Sequence, residues 1–250
     1  MILNQSIPYD PLSPKPLPGM SPLDPKDWLR VDETYAAQLA EKARVVAADR
    51  DMVLALDEAA RPAAEELLDM VVSALSDIDG FYLQNMMMRC PDGRNVAVDR
   101  ADPMLTLSRL IQEDFCILQK TGDEHVLTGA VLCFPASWLL AEKFMQPLIG
   151  IHEPVASYDA DIARRVQRLF DGVRVAQPLW RFNALWYADP ALHQPRSAHS
   201  RRDERFVEAA QYMRSELQTI RRLPETDAVV FGIHTYVLTQ DSLNRRAALA

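Results

Sequence analysis

The feature that most limits what this chain can fold into is a change of pattern near residue 114. Beyond it, "FCILQK" and "HVLTGAVLCF" are short β-rich runs separated by "TGDE", which is a hairpin signal. Ahead of it, apolar residues recur at helical spacing. Helices are expected over 32–49, over 52–77 with an interruption at Arg61 and Pro62, and over 102–112. Past the hairpin, "PASWLLAEKF" and "DADIARRVQRLFDG" predict short helices, and "PLWRFNALWYA" and "DAVVFGIHTYVL" predict strands. In the first of these strands Trp180, Phe182, Ala184 and Trp186 share one face, with Arg181 and Asn183 on the other. In the second, Val230, Gly232, His234 and Tyr236 share a face. "DERFVEAAQYMRSELQTIRRL" repeats its apolar residues at spacings of four and three, and predicts the clearest helix of the chain. Helices first and strands with intervening helices later make an α+β fold with an antiparallel sheet. Seven of the 17 prolines fall in residues 1–27, so that stretch is an extended arm, either a tail or a strap, ahead of a single domain over 28–250.

Several function classes drop out on composition. A formal net charge of -8 argues against nucleic acid or an anionic membrane as partner, since phosphate binding needs a basic footprint. The eight glycines are scattered and form neither GxGxxG nor GxxxxGK[ST], so no dinucleotide or P-loop fingerprint is present. Cys90, Cys116 and Cys133 have no metal spacing and read as reduced core thiols of a cytoplasmic protein. No apolar run is long enough to span a bilayer, and the first residues lack the pattern of a signal peptide.

Among five histidines, His125 stands at a strand start beside a turn and is expected to be exposed. His193 and His199 lie in a polar loop without carboxylates spaced to help them hold a metal. His152 and His234 sit inside apolar segments, where a ring is either a satisfied core group or a ligand-binding one. Gly232, two residues from His234, would leave room for something flat to approach, or would pack under another element. Ser137 in "FPASW" lacks the nucleophile-elbow pattern. Glu113 and Asp114 are adjacent acids at a helix-to-strand junction, suited either to acid–base work or, more simply, to a solvated turn.

Taken together and in order, "SPLDPKDWLRVDETYAAQLAEKARVV", "IQEDFCIL", "LCFPASWLLAEKFMQPLIGIHEPVASYD", "PLWRFN" and "LQTIRRLPETDAVVFGIHTYV" resemble the haem-dependent oxidative N-demethylase family, the haem-binding subunit of dimethylamine monooxygenases. The resemblance implies a PAS-like antiparallel core with N-terminal and flanking helices, and a non-covalent b-type haem. It implies a monooxygenase that uses O2 to demethylate a small secondary amine and releases formaldehyde. Electrons would come from NADPH through separate reductase subunits. By position, His152 of "IHEPV" becomes the axial iron ligand, with Arg181, Asn183, His234 and Tyr236 as further cofactor-binding residues. Where the family pattern reads "IRTY" this chain has "IHTY". His234 is therefore expected to be a neutral ring in place of a cation, or a second iron ligand. The alternative function is a non-catalytic haem- or ligand-binding sensor or carrier; a haem-free scaffold is a third.

Overall fold

The computed structural model describes residues 1–13, 19–152, 160–197, 200 and 210–247, without the side chains of residues 152, 160, 161, 163 and 245–247. In chain order the elements are β1 (Ser21–Pro22), α1 (Tyr35–Ala48), β2 (Leu54–Leu56), α2 (Arg61–Ser76), β3 (Tyr82–Gln84), β4 (Met87–Arg89), β5 (Asn95–Ala97), α3 (Pro103–Leu110), β6 (Asp114–Thr121), β7 (Glu124–Val131), α4 (Leu140–Lys143), α5 (Leu148–His152), α6 (Ala160–Gly172), β8 (Leu179–Tyr187), β9 (Tyr212–Arg222), β10 (Val229–Thr239) and α7 (Gln240–Ala247). Seven strands form one sheet in the order β1-β8-β9-β10-β6-β7-β2, and β3-β4-β5 form a small second sheet. Every pairing between these strands is antiparallel. The fold is α+β, as the pattern predicts.

Local chemistry explains several boundaries. Asp102 caps α3 by accepting from the Leu105 N–H, and Pro103 follows in the first turn, where its missing N–H costs nothing. The β6–β7 hairpin turns at Gly122, whose φ of 61° suits a residue without a Cβ.

Period-two alternation gives the sheet two distinct faces. Val230, Phe115 and Ile117 point to the layer built from α1, α2 and α3, where Leu39, Leu67, Leu68 and Leu107 close the main core. Farther along this face, Met213, Leu217 and Tyr236 meet Ile7 and Tyr9 of the N-terminal arm. The other face presents Cys116, Leu118, Ile220, Val229 and Ile233 to Leu140, Leu148, Ile151 and Phe170 of α4, α5 and α6. Of the two forms left open for the arm, its described part takes the strap. Asn4 exchanges hydrogen bonds with the Val237 backbone, the Tyr9 hydroxyl meets Ser215 at 2.8 Å, and Tyr9 stacks on Phe182.

Three expectations need correction. Residues 212–222, predicted as part of the clearest helix, form β9, paired over its whole length with β8 and β10. Its apolar residues are needed on both faces, Met213 and Leu217 on one and Ile220 on the other. A strand buried on two faces mimics helical spacing, and sheet pairing overrides the weak local preference. Residues 203–209 of that predicted helix lie outside the described residues. Leu54–Leu56, read as helical, form edge strand β2 beside β7. His125 is buried rather than exposed: α6 folds over it, Gln167 hydrogen-bonds its Nδ1 at 2.8 Å and Phe170 packs on the ring.

Gly232 leaves no cleft for a flat ligand. A Cβ there would lie 2.5 Å from Thr219 Oγ1 and 2.8 Å from Phe115 Cε1, the side chains of its two cross-strand partners. Gly232→Ala is therefore expected to destabilise the protein by about 1–3 kcal/mol through overpacking. Urea denaturation checks it as a lowered midpoint at unchanged slope.

Candidate functional site

The five residues singled out in the sequence fall on two faces of one sheet. Cross-strand register places Phe182, Leu217 and His234 in one row, and Arg181, Gln218 and Ile233 in the next. His234 and Tyr236 therefore face the helical layer and the strap. Arg181 and Asn183 face the side covered by α5, the helix that ends at His152.

On the first face, His234 is buried and both ring nitrogens are engaged: Nδ1 with Glu113 Oε1 at 3.0 Å and Nε2 with Asp32 Oδ2 at 3.1 Å. Burial alone would push the imidazole pKa down, but the two carboxylates carry it up to about 9. At neutral pH this ring is an imidazolium that donates from both nitrogens. Burial would likewise raise the Asp32 carboxyl; hydrogen bonds from His234, Thr34 and Gln112, and the imidazolium charge, hold it well below the usual carboxylate range. Asn4 of the strap also donates to Asp32, at 2.9 Å. Next to this group, fully buried Lys42 meets Asp114 at 2.9 Å and donates to the Glu113 carbonyl at 2.6 Å. Glu113 and Asp114 are thus buried ionic anchors, not a solvated turn. Burial also pushes the hydroxyl of Tyr236 up, 4.6 Å ring-to-ring from His234.

These contacts bear on both expectations for His234. The ring is a cation, not a neutral replacement for one. Both of its nitrogens are engaged, and it lies on the face away from α5.

The second face is built differently. Asn183 and Gln218 both donate to Glu216 Oε2, at 3.1 and 3.3 Å. Arg214 is buried and donates to the carbonyls of Leu192 and Phe134. Arg181, one register step away, is half-buried and has no hydrogen bond or ion pair among the described residues. Burial alone lowers its pKa. Arg221 on the opposite face is similarly desolvated, but its guanidinium rests 4.5 Å from the centre of the Trp28 ring. Arg181 borders a small cleft of about 30 Å³ with Gly19, Ser21, Trp180 and Phe182. A larger cleft, about 340 Å³, lies at the other end of the sheet around Arg50, Leu54 and Asp102.

Over this face run α4 and α5. The link between them is fastened to β7: the Met145 N–H donates to the Leu127 carbonyl and the Leu127 N–H to the Gln146 carbonyl. Lys143, buried at the end of α4, donates to the Ile151 carbonyl at 2.5 Å. The backbone of His152 closes α5; its side chain, like all of His199, lies outside the described residues. His193 is described, and its Nδ1 meets the Cys133 carbonyl at 2.8 Å. All three cysteines are free and buried, and burial pushes the Cys116 and Cys133 thiols up to about 12, as suits inert core groups.

A model of the family described as haem-dependent oxidative N-demethylase, alpha subunit-like, matches residues 19–250. The chain belongs to this family. The N-demethylase description names haem as the cofactor and an alpha subunit as the role, which implies partner subunits. The chemistry of the second face suits a haem. An unpaired, half-desolvated guanidinium is the group that a propionate would satisfy with charge-assisted hydrogen bonds. One imidazole suffices as protein ligand to the iron. Among the described residues, no three His, Cys, Asp or Glu side chains are arranged for a metal ion. None of the described helices is long and apolar enough to cross a membrane. Sequence reasoning missed Asp32, Lys42 and Lys143 in this N-demethylase-family chain. Only Lys42 left a signal, a lysine on the stripe of Tyr35, Leu39 and Val45 that α1 buries.

The buried triad makes stability depend on pH in both directions. Asp32, depressed in the folded state, stabilises above its ordinary pKa of 3.8 and loses that contribution as pH falls. His234, raised in the folded state, stabilises fully below its ordinary 6.5 and loses the contribution as pH rises through about 9. Urea titrations across this range are expected to show greatest stability between these limits. Toward pH 9 a decline on the order of 2–3 kcal/mol is expected. His234→Leu abolishes that decline and, near pH 6, costs about 3–5 kcal/mol, because it leaves two carboxylates buried without their cation.

Proposed function

We propose that this chain is the haem-binding subunit of a monooxygenase that removes a methyl group from a small secondary amine of the dimethylamine kind. The family match over residues 19–250 carries this reading, and the unpaired guanidinium of Arg181 supports it. In the net reaction one oxygen atom of O2 leaves in formaldehyde and the other in water. Two electrons and two protons are consumed, and the amine loses one methyl. A non-covalent b-type haem, when bound, supplies the oxygen chemistry.

The protein's part is to bind and orient. His152, at the end of α5, is the proposed iron ligand; Arg181 takes a propionate, and Asn183 orders the wall beside it by fixing Glu216. The electrons come from NADPH through separate reductase subunits, in keeping with a sequence that has no dinucleotide fingerprint of its own. The negative charge of the chain draws a cationic amine toward it. In the rival reading of a non-catalytic haem carrier, His152 and His234 would clasp the iron from two sides. The engaged nitrogens of His234 count against it.

Haem titration with absorption spectroscopy tests the cofactor, and formaldehyde release from dimethylamine with a reductase and NADPH tests the reaction. His152→Ala is expected to lose the haem band, while His234→Gln keeps it. Arg181→Ala is expected to weaken haem binding roughly tenfold or more, the loss of a charge-assisted hydrogen bond. A wild-type chain that stays colourless after haem titration would overturn the proposal.

A further inference from the structure

The helix that carries His152 is poorly able to hold its own position. It has five residues, far too few to be stable alone, and its last carbonyls have no partner within the helix. One of those carbonyls, that of Ile151, accepts from the Lys143 ammonium. Lys143 is only 6 % exposed, so a desolvated charge is spent at this point, where a cation also complements the negative end of the helix.

The geometry makes this bond more than a cap. The Ile151 carbonyl belongs to the same planar peptide unit as the nitrogen and Cα of His152. Fixing that oxygen fixes the plane from which the His152 side chain departs. Lys143 is itself well anchored. It ends α4, whose Leu140 is buried in the core beneath. The chain then reverses at Met145, with a φ of 61°, and is hydrogen-bonded to β7 at Met145 and Gln146 before α5 begins. The orientation of the Ile151–His152 peptide is therefore referred to the sheet through one side chain.

We propose that Lys143 is the positioning residue for His152: its ammonium holds the Ile151–His152 peptide and thereby sets the direction of the imidazole toward the iron. This rests on the reading of His152 as the iron ligand given above. A side chain with no donor at the carbonyl leaves the peptide free to rotate, and the iron–imidazole bond weakens and becomes heterogeneous.

The test uses the full chain loaded with haem. Lys143→Met removes the donor at similar length, Lys143→Arg restores a cationic donor, and His152→Ala is the reference. The readouts are ferric electron paramagnetic resonance, haem dissociation to a scavenger, and thermal melting of the haem-free chain. Lys143→Met is expected to melt cooperatively, release haem at least tenfold faster than wild type, and give broadened or multiple ferric signals. Lys143→Arg is expected to recover most of the wild-type spectrum. Wild-type dissociation and spectra in Lys143→Met, alongside haem loss in His152→Ala, would overturn the positioning role and leave the ligand assignment standing. A wild-type spectrum in His152→Ala would instead remove the ligand assignment, and the positioning role with it. Should Lys143→Met not fold, Lys143→Leu, which also removes the donor, is read by the same criteria against His152→Ala.

Discussion

The structure depends on one buried imidazolium held between two carboxylates. His234 comes from the last strand, Glu113 from the entry to β6, and Asp32 from the turn before α1, so a single ring ties three distant segments together. Asp32 then reaches the strap through Asn4, while the neighbouring pair of Lys42 and Asp114 fastens α1 to β6. Each of these charges would be costly to bury alone. As a group they satisfy one another, and the low local dielectric strengthens every bond among them. The arrangement also specifies register: a one-residue slip of β10 would carry His234 to the opposite face and leave both acids unpaired.

That network defines a division between the two faces of the sheet. The helical face is closed, with Gly232 packed against Thr219 and Phe115 to within less than a methyl group. The other face keeps a half-buried guanidinium at Arg181 that no described neighbour satisfies, beside the cleft it shares with Gly19 and Ser21. Binding groups are most precise when they stand on a rigid element whose own geometry is fixed elsewhere. Here the strands bearing Arg181 and Asn183 are held in place by β9 and, through it, by β10, whose far face carries the ionic network.

Much of the fold was legible in the sequence wherever one period dominated. The β6–β7 hairpin showed in its short β-rich runs and the turn between them, and β8 and β10 in their two-residue period. Strand β9 was not legible, because its apolar residues, divided between the two faces, fall at spacings of four and three that match a helix. The burial of Glu113 and Asp114 was not legible either. Adjacent acids are normally solvated, and their cations lie far off in the chain: His234 is 121 positions from Glu113, and Lys42 is 72 from Asp114. For the candidate site, spacing pointed to His152 and His234 alike. Only resemblance favoured His152, and only the three-dimensional partners of His234 showed why it belongs to the scaffold.

The exchange of arginine for histidine in "IHTY" can now be judged by charge. Arginine at such a position is always protonated. Histidine is not, and on sequence alone it reads as a loss of the cation. Between two carboxylates the ring keeps its proton up to about pH 9, so the cation persists throughout the neutral range. What changes is its reach: an imidazolium offers two donors in a short, rigid plane, and both are spent on Asp32 and Glu113. A cation so committed contributes to the folding of the sheet and presents no donor to a ligand. It follows that the folded network keeps its charges between about pH 6 and 8, although stability already falls there as the unfolded chain loses the His234 proton.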